Sequence, residues 1–281
     1  MRVLLTGATG RVGSRLVPRL LERGYSVRVL LRHEADSESF ARRGAQPIFG
    51  DLLYSETLAR AVEGIEAVVH LAAFFRGATE AEALAINLDG TLALADAARQ
   101  SGAKFIYIST NLVYGPGRGR PACEDDEPRP STGHVYPVSK LAAERALRQS
   151  YQDRMRELAI LRLAFVYGEG DPHLREAIHL TGSWHSQKRL QMVHHADVAQ
   201  AIILSLDKPQ AGGQLFNVAD DCPLPISEIR QLNGLTPSNV AETSVVSDPW
   251  EGIMDTTKIK QELGFRPIYP SLREAEKMRA L

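Results

Sequence analysis

The sequence predicts an α/β fold that consists of a doubly wound parallel sheet and a small C-terminal lobe. Three observations support this prediction. Short apolar runs, typical of buried strands, alternate with longer segments of helical periodicity. A glycine-rich turn follows the first apolar run, at residues 7–13. The chain has 281 residues, which is enough for one large α/β domain with a smaller appendage.

The predicted strands and helices alternate along most of the first part of the chain. Because βαβ units place helices on both faces of a parallel sheet, the carboxyl ends of all the strands meet at one edge. Strands are predicted at 3–6, 26–31, 48–49, 67–71, 104–109 and 158–163, and helices at 11–22, 54–63, 80–100 and 136–151.

Two later segments differ from this pattern. Residues 168–191 have weak periodicity, and the chain from Asp220 onward holds many of the prolines. We therefore assign residues 1–165 and 194–218 to the sheet-bearing domain. Residues 166–193 and 219–281 are assigned to the small lobe.

Composition narrows the partners and the compartment. The chain has 33 Lys and Arg against 34 Asp and Glu, so no basic surplus favours nucleic acid or an anionic membrane. The first residues enter a predicted strand directly and no long apolar run follows, so we expect neither a signal peptide nor a membrane span. The two cysteines, Cys123 and Cys222, show no metal or disulfide pattern. We expect a cytoplasmic protein without a metal.

The glycine-rich turn predicts a dinucleotide site. It lies between the first strand and the first helix, where glycines let the backbone approach a pyrophosphate and the helix N-terminus offers unpaired N–H groups. This context makes the motif more specific than three glycines alone, and the predicted cofactor is NAD(P). The residues expected to contact it are Gly7, Thr9, Gly10, Arg11, Val12 and Gly13.

The end of the second strand bears on the choice between NAD and NADP. An NAD-selective site usually has an acidic residue there, bonded to the ribose 2′-OH, but this chain has Leu31 and Arg32. A guanidinium suits a 2′-phosphate, so Arg32 favours NADP. The alternative is that Arg32 is a solvated charge at a strand end.

A second motif predicts acid–base chemistry. Tyr136 and Lys140 stand four residues apart at the start of a predicted helix, so both side chains share one helical face. An ammonium near a phenol favours the phenolate and is expected to lower the pKa of Tyr136. Ser109 and Thr110 end the fifth strand, at the sheet edge where ligands of such folds bind.

Taken together, these motifs resemble the extended short-chain dehydrogenases/reductases, the NAD-dependent epimerase/dehydratase family. The resemblance covers nearly the whole chain and implies a Rossmann-type sheet with a small C-terminal substrate lobe. Besides the glycine turn and the segment from Tyr136 to Lys140, it is carried by residues 50–52, 70–73, 87–91, 109–115, 161–162, 193–199 and 258–267.

The resemblance also implies roles for individual residues. Tyr136 would be the acid–base catalyst, Lys140 would hold the nicotinamide ribose, and Thr110 rather than Ser109 would hold the substrate oxygen. It further implies a homodimer formed through the helices at 80–100 and 136–151. Cofactor contacts are implied for Asp51, Leu52, Leu71, Ala72 and Ala73, and structural roles for Asn87, His194, His195 and Asp197.

Two departures from the family pattern narrow the reaction. Sugar dehydratases of the family carry an acid directly after the active-site hydroxyl, whereas this chain has Asn111 and Leu112. Dehydration is therefore disfavoured. Nucleotide-sugar enzymes often have Asn near the substrate diphosphate, at the position of Phe165. The remaining candidates for contact with a substrate phosphate are Arg175, Lys188 and Arg189. The alternative is that all three are solvated surface charges.

The leading functional hypothesis is an NAD(P)-dependent oxidoreductase or epimerase that acts on a sugar-like small molecule, with a nucleotide sugar as one form of it. One alternative is an NADPH-dependent carbonyl reductase of a non-sugar substrate. Another is a non-catalytic dinucleotide sensor, because fold alone does not fix function.

Overall fold

The computed structural model describes residues 1–75, 77, 79–131, 133–179, 181, 184–236 and 248–281. The described strands are β1 Arg2–Thr6, β2 Ser26–Leu31, β3 Gln46–Phe49, β4 Ala67–His70, β5 Lys104–Thr110, β6 Leu158–Leu163, β7 Phe165–Tyr167, β8 Arg189–Leu190, β9 Met192–His194, β10 Leu215–Val218 and β11 Leu224–Pro225. Seven of them form one parallel sheet in the order β3-β2-β1-β4-β5-β6-β10. This confirms the predicted doubly wound, Rossmann-type fold.

The described helices are α1 Arg11–Glu22, α2 Ser37–Arg42, α3 Ser55–Val62, α4 Glu80–Leu84, α5 Thr91–Ser101, α6 Val135–Ser150, α7 His173–Ile178, α8 His195–Asp207, α9 Ile226–Leu232, α10 Thr257–Leu263 and α11 Leu272–Lys277. A π-helical segment, Ala85–Gly90, joins α4 to α5. The predicted helix at 80–100 is therefore one helical run with a wider turn in its middle.

Each face of the sheet is covered by helices. On one face α1, α8 and α10 bury Leu20, Ile202 and Leu263 against the sheet. On the other face α3, α5 and α6 bury Leu58 and Leu94, together with Ala143 and Leu147 of α6. Burial on both faces explains why the strands read as continuous apolar runs rather than as alternating ones.

A third core lies outside the sheet. Tyr167, Leu174, Ile178, Ile226 and Leu272 pack together there, and the short strand pairs β7 with β9 and β8 with β11 accompany them. These residues come from both segments that the sequence assigns to the small lobe. One element of those segments behaves differently, because Ile259 and Leu263 of α10 join the core of the sheet.

Charged contacts connect α1 with the segment before α7. Arg11 pairs with Asp171 at 3.1 Å and with Glu176 at 2.8 Å. Arg19 pairs with Glu169, and Arg15 donates to the Glu169 carbonyl at 2.9 Å. These contacts hold residues 169–176 against the helix that follows the glycine turn.

Three polar residues of the segment 193–199 have defined structural partners. Asp197 accepts hydrogen bonds from the backbone N–H groups of Ile268 and Tyr269, at 2.5 and 3.2 Å. His194 contacts the Ala280 carbonyl at 2.8 Å and caps α8, while His195 contacts Asp171 at 2.8 Å. Both histidines are therefore held in place by hydrogen bonds and not by packing alone.

In the described part of the chain, no helix has the length and apolar character that crossing a membrane requires. The same residues contain no cluster of three or more His, Cys, Asp or Glu side chains suited to a metal ion. Cys123 and Cys222 are free thiols.

Candidate active site

The turn at residues 7–13 needs its glycines for steric reasons. Gly7 has φ of +71°, and a Cβ there would lie 2.7 Å from the Ala72 backbone nitrogen. A Cβ on Gly13 would lie 2.2 Å from the Gly7 carbonyl oxygen. The turn is closed by a 3.0 Å hydrogen bond from Gly10 N–H to that same oxygen. Only residues without a side chain fit the two closest positions.

The turn fits the pyrophosphate of a dinucleotide. Helix α1 begins directly after Gly10, which supplies no side-chain cap, and its first turn carries no acidic residue. Its N–H groups and the positive end of its dipole are therefore available to an anion. The turn also lies where β1 neighbours both β2 and β4, the point at which the strand order reverses. Ligands of doubly wound sheets bind at this point.

A cavity of about 500 Å³ extends from the turn into the small lobe. Its size is within the range of roughly 300–1,000 Å³ that is usual for small-molecule sites. It brings together residues that are far apart in sequence. The predicted site residues in its wall are Gly7, Gly10, Arg11, Val12, Gly13, Leu71, Ala73, Thr110, Tyr136 and Lys140.

Five predicted cofactor residues, Thr9, Arg32, Asp51, Leu52 and Ala72, do not line this cavity. Arg32 is exposed and lies directly after β2. The Gly50 N–H donates to the Leu31 carbonyl, so the chain after β3, which contains Asp51, lies beside the end of β2. Leu52 is buried against Gly90, and the Ala72 N–H donates to Thr6 Oγ1 at 3.2 Å. Their contacts with a cofactor remain predictions.

Tyr136 and Lys140 lie on α6, which is fastened to the loop after β4. The Asn87 side chain accepts from Phe74 N–H at 2.7 Å and donates to the Phe74 carbonyl and to Ser139 Oγ, both at 2.9 Å. Asn87 is fully buried. Asn87 therefore holds the start of α6 against residues 71–75. This is the kind of structural role that was expected for it.

Burial changes the pKa of both predicted catalytic groups. Lys140 is 1% exposed, with Nζ 4.0 Å from the centre of the Tyr107 ring. Burial lowers the pKa of Lys140 to about 7, opposed by the Glu144 carboxylate. Burial raises the pKa of Tyr136 to about 12. The expected lowering of the Tyr136 pKa is thus wrong for this chain, because desolvation of the phenol sets the direction of the shift.

Below Lys140, a buried ion pair connects α6 to the sheet. Glu144 follows Lys140 by one helical turn, and Arg162 of β6 donates to both its oxygens, at 3.1 and 2.6 Å. Ser109 donates to the same carboxylate. Because the Ser109 hydroxyl is used in this way, Thr110 is the better placed of the two to contact a substrate oxygen. The role that the resemblance implies for Thr110 stays a prediction.

Sequence reasoning missed an aromatic array at the mouth of the cavity. Phe75 meets Tyr136 edge-on, with ring centroids 4.8 Å apart, and meets His173 edge-on at 5.9 Å. His173 in turn stacks on Phe165 at 4.3 Å. These residues come from the loop after β4, from α6, from α7 and from β7. No local pattern joins them, so the sequence gives no signal for the array.

The two departures from the family pattern both face the cavity. Asn111 and Leu112 line it beside Thr110, and Phe165 lines it beside His173. The three cations considered as phosphate partners, Arg175, Lys188 and Arg189, do not line it. Lys188 instead contacts Glu251 at 3.2 Å.

Comparison with known proteins gives the class. The model of the NAD dependent epimerase/dehydratase family matches residues 3–219. The chain belongs to this family, as its motifs predicted. Its relatives include an epimerase, a dehydrogenase and a reductase.

Individual relatives differ widely in substrate. The chain is 28% identical, over 97% of its length and 83% of the other protein, to a 4-hydroxy-2-methyl-3-oxo-4-farnesyl-3,4-dihydroquinoline-1-oxide ketoreductase of Stigmatella aurantiaca. It is 31% identical to the UDP-glucose 4-epimerase of Vibrio cholerae, over 82% of this chain and 74% of that one.

A solved structure shows the same architecture. It is a short-chain dehydrogenase/reductase superfamily protein from Agrobacterium tumefaciens with bound NAD. The TM-score is 0.79 at 25% identity, with 99% of this chain and 97% of the other covered. The bound NAD agrees with the class of cofactor that the glycine turn fits.

Proposed function

We propose that this protein is an NAD(P)-dependent oxidoreductase that interconverts a secondary alcohol and a ketone, with Tyr136 as the acid–base group. One observation carries the proposal. The glycine turn and the side chains of Thr110, Tyr136 and Lys140 line a single cavity, although they come from three separate parts of the chain. A nicotinamide cofactor held at the glycine turn would supply or accept the hydride.

The protonation states favour carbonyl reduction. With a pKa of about 12, Tyr136 holds its proton at neutral pH and is able to donate it to a ketone oxygen. Thr110 stands at the end of β5 beside the same cavity and offers a hydroxyl to orient that oxygen. Lys140, with a pKa of about 7, exchanges protons readily near neutrality and occupies the same helical face as Tyr136.

The wall of the cavity favours the non-sugar alternative over a nucleotide sugar. Phe165 stands where nucleotide-sugar enzymes of the family often carry Asn near the substrate diphosphate, and Leu112 adds a second apolar side chain to the wall. The relative from Stigmatella aurantiaca, named for a farnesylated ketone, shows that such chemistry occurs in a protein similar along nearly the whole chain.

The test is ketone-dependent oxidation of NADPH and NADH, followed at the nicotinamide absorbance. General acid–base groups contribute about 10²–10⁴-fold to rate, so Tyr136→Phe should lower kcat by at least about 100-fold. Tyr25→Phe is the matched control, since Tyr25 bonds Asp207 and does not line the cavity. Unchanged turnover in Tyr136→Phe would leave Tyr136 without the proposed role.

Epimerisation would use the same side chains, and the family match keeps it as the second candidate. The two reactions differ in the fate of the cofactor, because an epimerase re-reduces its own intermediate and releases no oxidised cofactor. Stoichiometric NADP⁺ or NAD⁺ release during turnover supports the reductase. Tightly retained NAD without net oxidation supports the epimerase.

A further inference from the structure

The half of the cavity that lies beyond Tyr136 is walled by apolar side chains. Leu112 and Phe165 border the end of the sheet, and Ile178, Trp184, Leu190 and Ile229 border the small lobe. Several of these residues also belong to the hydrophobic core of the lobe. The wall is therefore a continuation of a packed core, and it offers an apolar surface to whatever molecule reaches Tyr136.

In the described wall of the cavity, the lysine and arginine side chains are Arg11 and Lys140, and both already contact other groups of the protein. Arg11 lies at the glycine turn and forms ion pairs with Asp171 at 3.1 Å and with Glu176 at 2.8 Å. Lys140 is buried against the Tyr107 ring behind Tyr136. Away from the N–H groups of the glycine turn, burying a diphosphate without a paired cation is strongly unfavourable. Within the described wall, no further lysine or arginine is present to receive one.

The polar side chains of the wall also have protein partners. Ser109 donates to Glu144, Asn111 donates to the Gly252 carbonyl at 3.0 Å, and Thr181 donates to the Ile178 carbonyl at 2.6 Å. A sugar ring brings several hydroxyls that each need a partner when they are removed from water. Asp171 is paired with Arg11, and His173 Nδ1 contacts the Val166 carbonyl at 3.3 Å. Thr110 Oγ1 accepts from Leu112 N–H at 3.3 Å and keeps its own O–H as a donor, so Thr110 and Tyr136 together serve one oxygen of the substrate.

We propose that the substrate of this site is an uncharged, mainly apolar molecule with a single reacting ketone or secondary alcohol and no phosphate. Its oxygen faces Tyr136 and Thr110, and its apolar body lies along Leu112 and Phe165 towards Trp184. This inference rests on the proposed function for the identity of the reacting group. It adds the class of molecule that carries that group.

Tryptophan fluorescence tests the inference without any turnover. The chain has two tryptophans, so the Trp250→Phe variant leaves Trp184 in the cavity wall as the reporter. It is titrated with three apolar ketones: androst-4-ene-3,17-dione, 2-tridecanone and menadione. The polar probes are UDP and UDP-glucose. At least one ketone should change the signal saturably with Kd below about 100 μM, and neither polar probe should do so below about 1 mM.

Two substitutions locate the binding. Leu112→Glu places a charge in the wall at a side chain that is 47% exposed, so the fold should tolerate it, and ketone affinity should fall at least tenfold. Leu53→Glu is the matched control, since Leu53 is 52% exposed and lies outside the cavity. It should bind like the parent. Circular dichroism melting verifies that both variants are folded.

Three outcomes overturn the inference: saturable binding of UDP or UDP-glucose below about 1 mM, no ketone binding, or equal affinity in Leu112→Glu and Leu53→Glu. The proposed function is judged separately. A ketone that binds but is never reduced with NADPH or NADH contradicts the reaction and leaves the substrate class standing. Turnover of UDP-glucose through Tyr136 contradicts the substrate class and leaves hydride chemistry standing.

Discussion

Glu144 and Arg162 form a buried ion pair beneath the predicted catalytic lysine. Arg162 donates to both carboxylate oxygens, and each side chain is 3% exposed. The pair joins α6, which carries Tyr136 and Lys140, to strand β6 of the sheet. It therefore fixes the height of α6 over the sheet, and through it the position of both side chains in the cavity.

Removing one partner of this pair should destabilise the protein more than removing both. Glu144→Leu leaves the Arg162 guanidinium buried without its carboxylate, at a cost of about 3–5 kcal/mol in the free energy of unfolding. The double variant Glu144→Leu with Arg162→Met should recover much of that loss. Urea denaturation of the wild type, the two single variants Glu144→Leu and Arg162→Met, and the double variant measures the coupling free energy of the pair. Additive losses in the double variant would show that the pair is not coupled.

The buried Lys140 should make stability depend on pH in a defined window. Its pKa is lowered from 10.5 to about 7, so between these values the unfolded chain binds more protons than the folded one. Stability attributable to Lys140 therefore rises with pH, by up to about 1.4 kcal/mol per unit. Below pH 7 both states are protonated and the full cost of burial applies.

It follows that Lys140→Met should be more stable than the wild type below pH 7 while losing activity. The gain should shrink as the pH rises towards 9. Urea unfolding of both proteins at pH 6, 7, 8 and 9 measures this difference. A difference that stays constant over the range would contradict the lowered pKa.

The two glycines Gly10 and Gly13 should respond differently to alanine. A Cβ on Gly13 would lie 2.2 Å from the Gly7 oxygen, whereas one on Gly10 would lie 3.2 Å from it, and Gly10 has φ of −74°. Gly13→Ala should therefore lower Tm, by about 2–4 °C for each kcal/mol lost, and weaken NADPH binding. Gly10→Ala should lower Tm less than Gly13→Ala does, so a loss of affinity out of proportion to its Tm change reports on cofactor contact. Equal Tm values would show that the turn relaxes freely.

Arg32 should determine which cofactor is preferred. It is exposed at the end of β2, where a 2′-phosphate would meet it if NADP binds in the expected direction. Arg32→Ala should weaken NADPH at least about tenfold and leave NADH unchanged, because one charge-assisted phosphate contact contributes about 1.5–3 kcal/mol. Nicotinamide fluorescence measures both affinities. Arg43→Ala, at an exposed arginine after α2, is the control. A wild type that prefers NADH would contradict NADP selectivity.

The predicted homodimer is testable by light scattering. Helices α5 and α6 lie side by side, joined by the Tyr151 hydroxyl bonded to the Ala95 carbonyl at 2.9 Å. Both helices are rich in alanine, which would permit close packing against a second copy. The expected mass is about twice 30.9 kDa. A mass of one chain at every working concentration would contradict the prediction.

Much of the fold was determined locally and could be predicted from the sequence. The run Val3–Thr6, the glycines after it and the spacing of α1 are each visible in a few consecutive residues, because period and turn chemistry are local. Strand β10 was not predicted. Its short run Leu215–Val218 is interrupted by Asn217, a polar residue that is buried because Tyr114, Ala122 and Asp255 supply its hydrogen bonds.

The sequence by itself determined the class of this protein, the glycine turn and the pair Tyr136 and Lys140, since each depends on short spacing. Only the tertiary structure decided that the half of the cavity beyond Tyr136 is walled by apolar side chains. Phe75, Phe165 and Trp184 reach it from separate elements, and the direction of the Tyr136 pKa shift depends on how deeply those elements bury the phenol. Desolvation and apolar packing depend on all neighbours at once, and the neighbours of a residue are fixed by the fold.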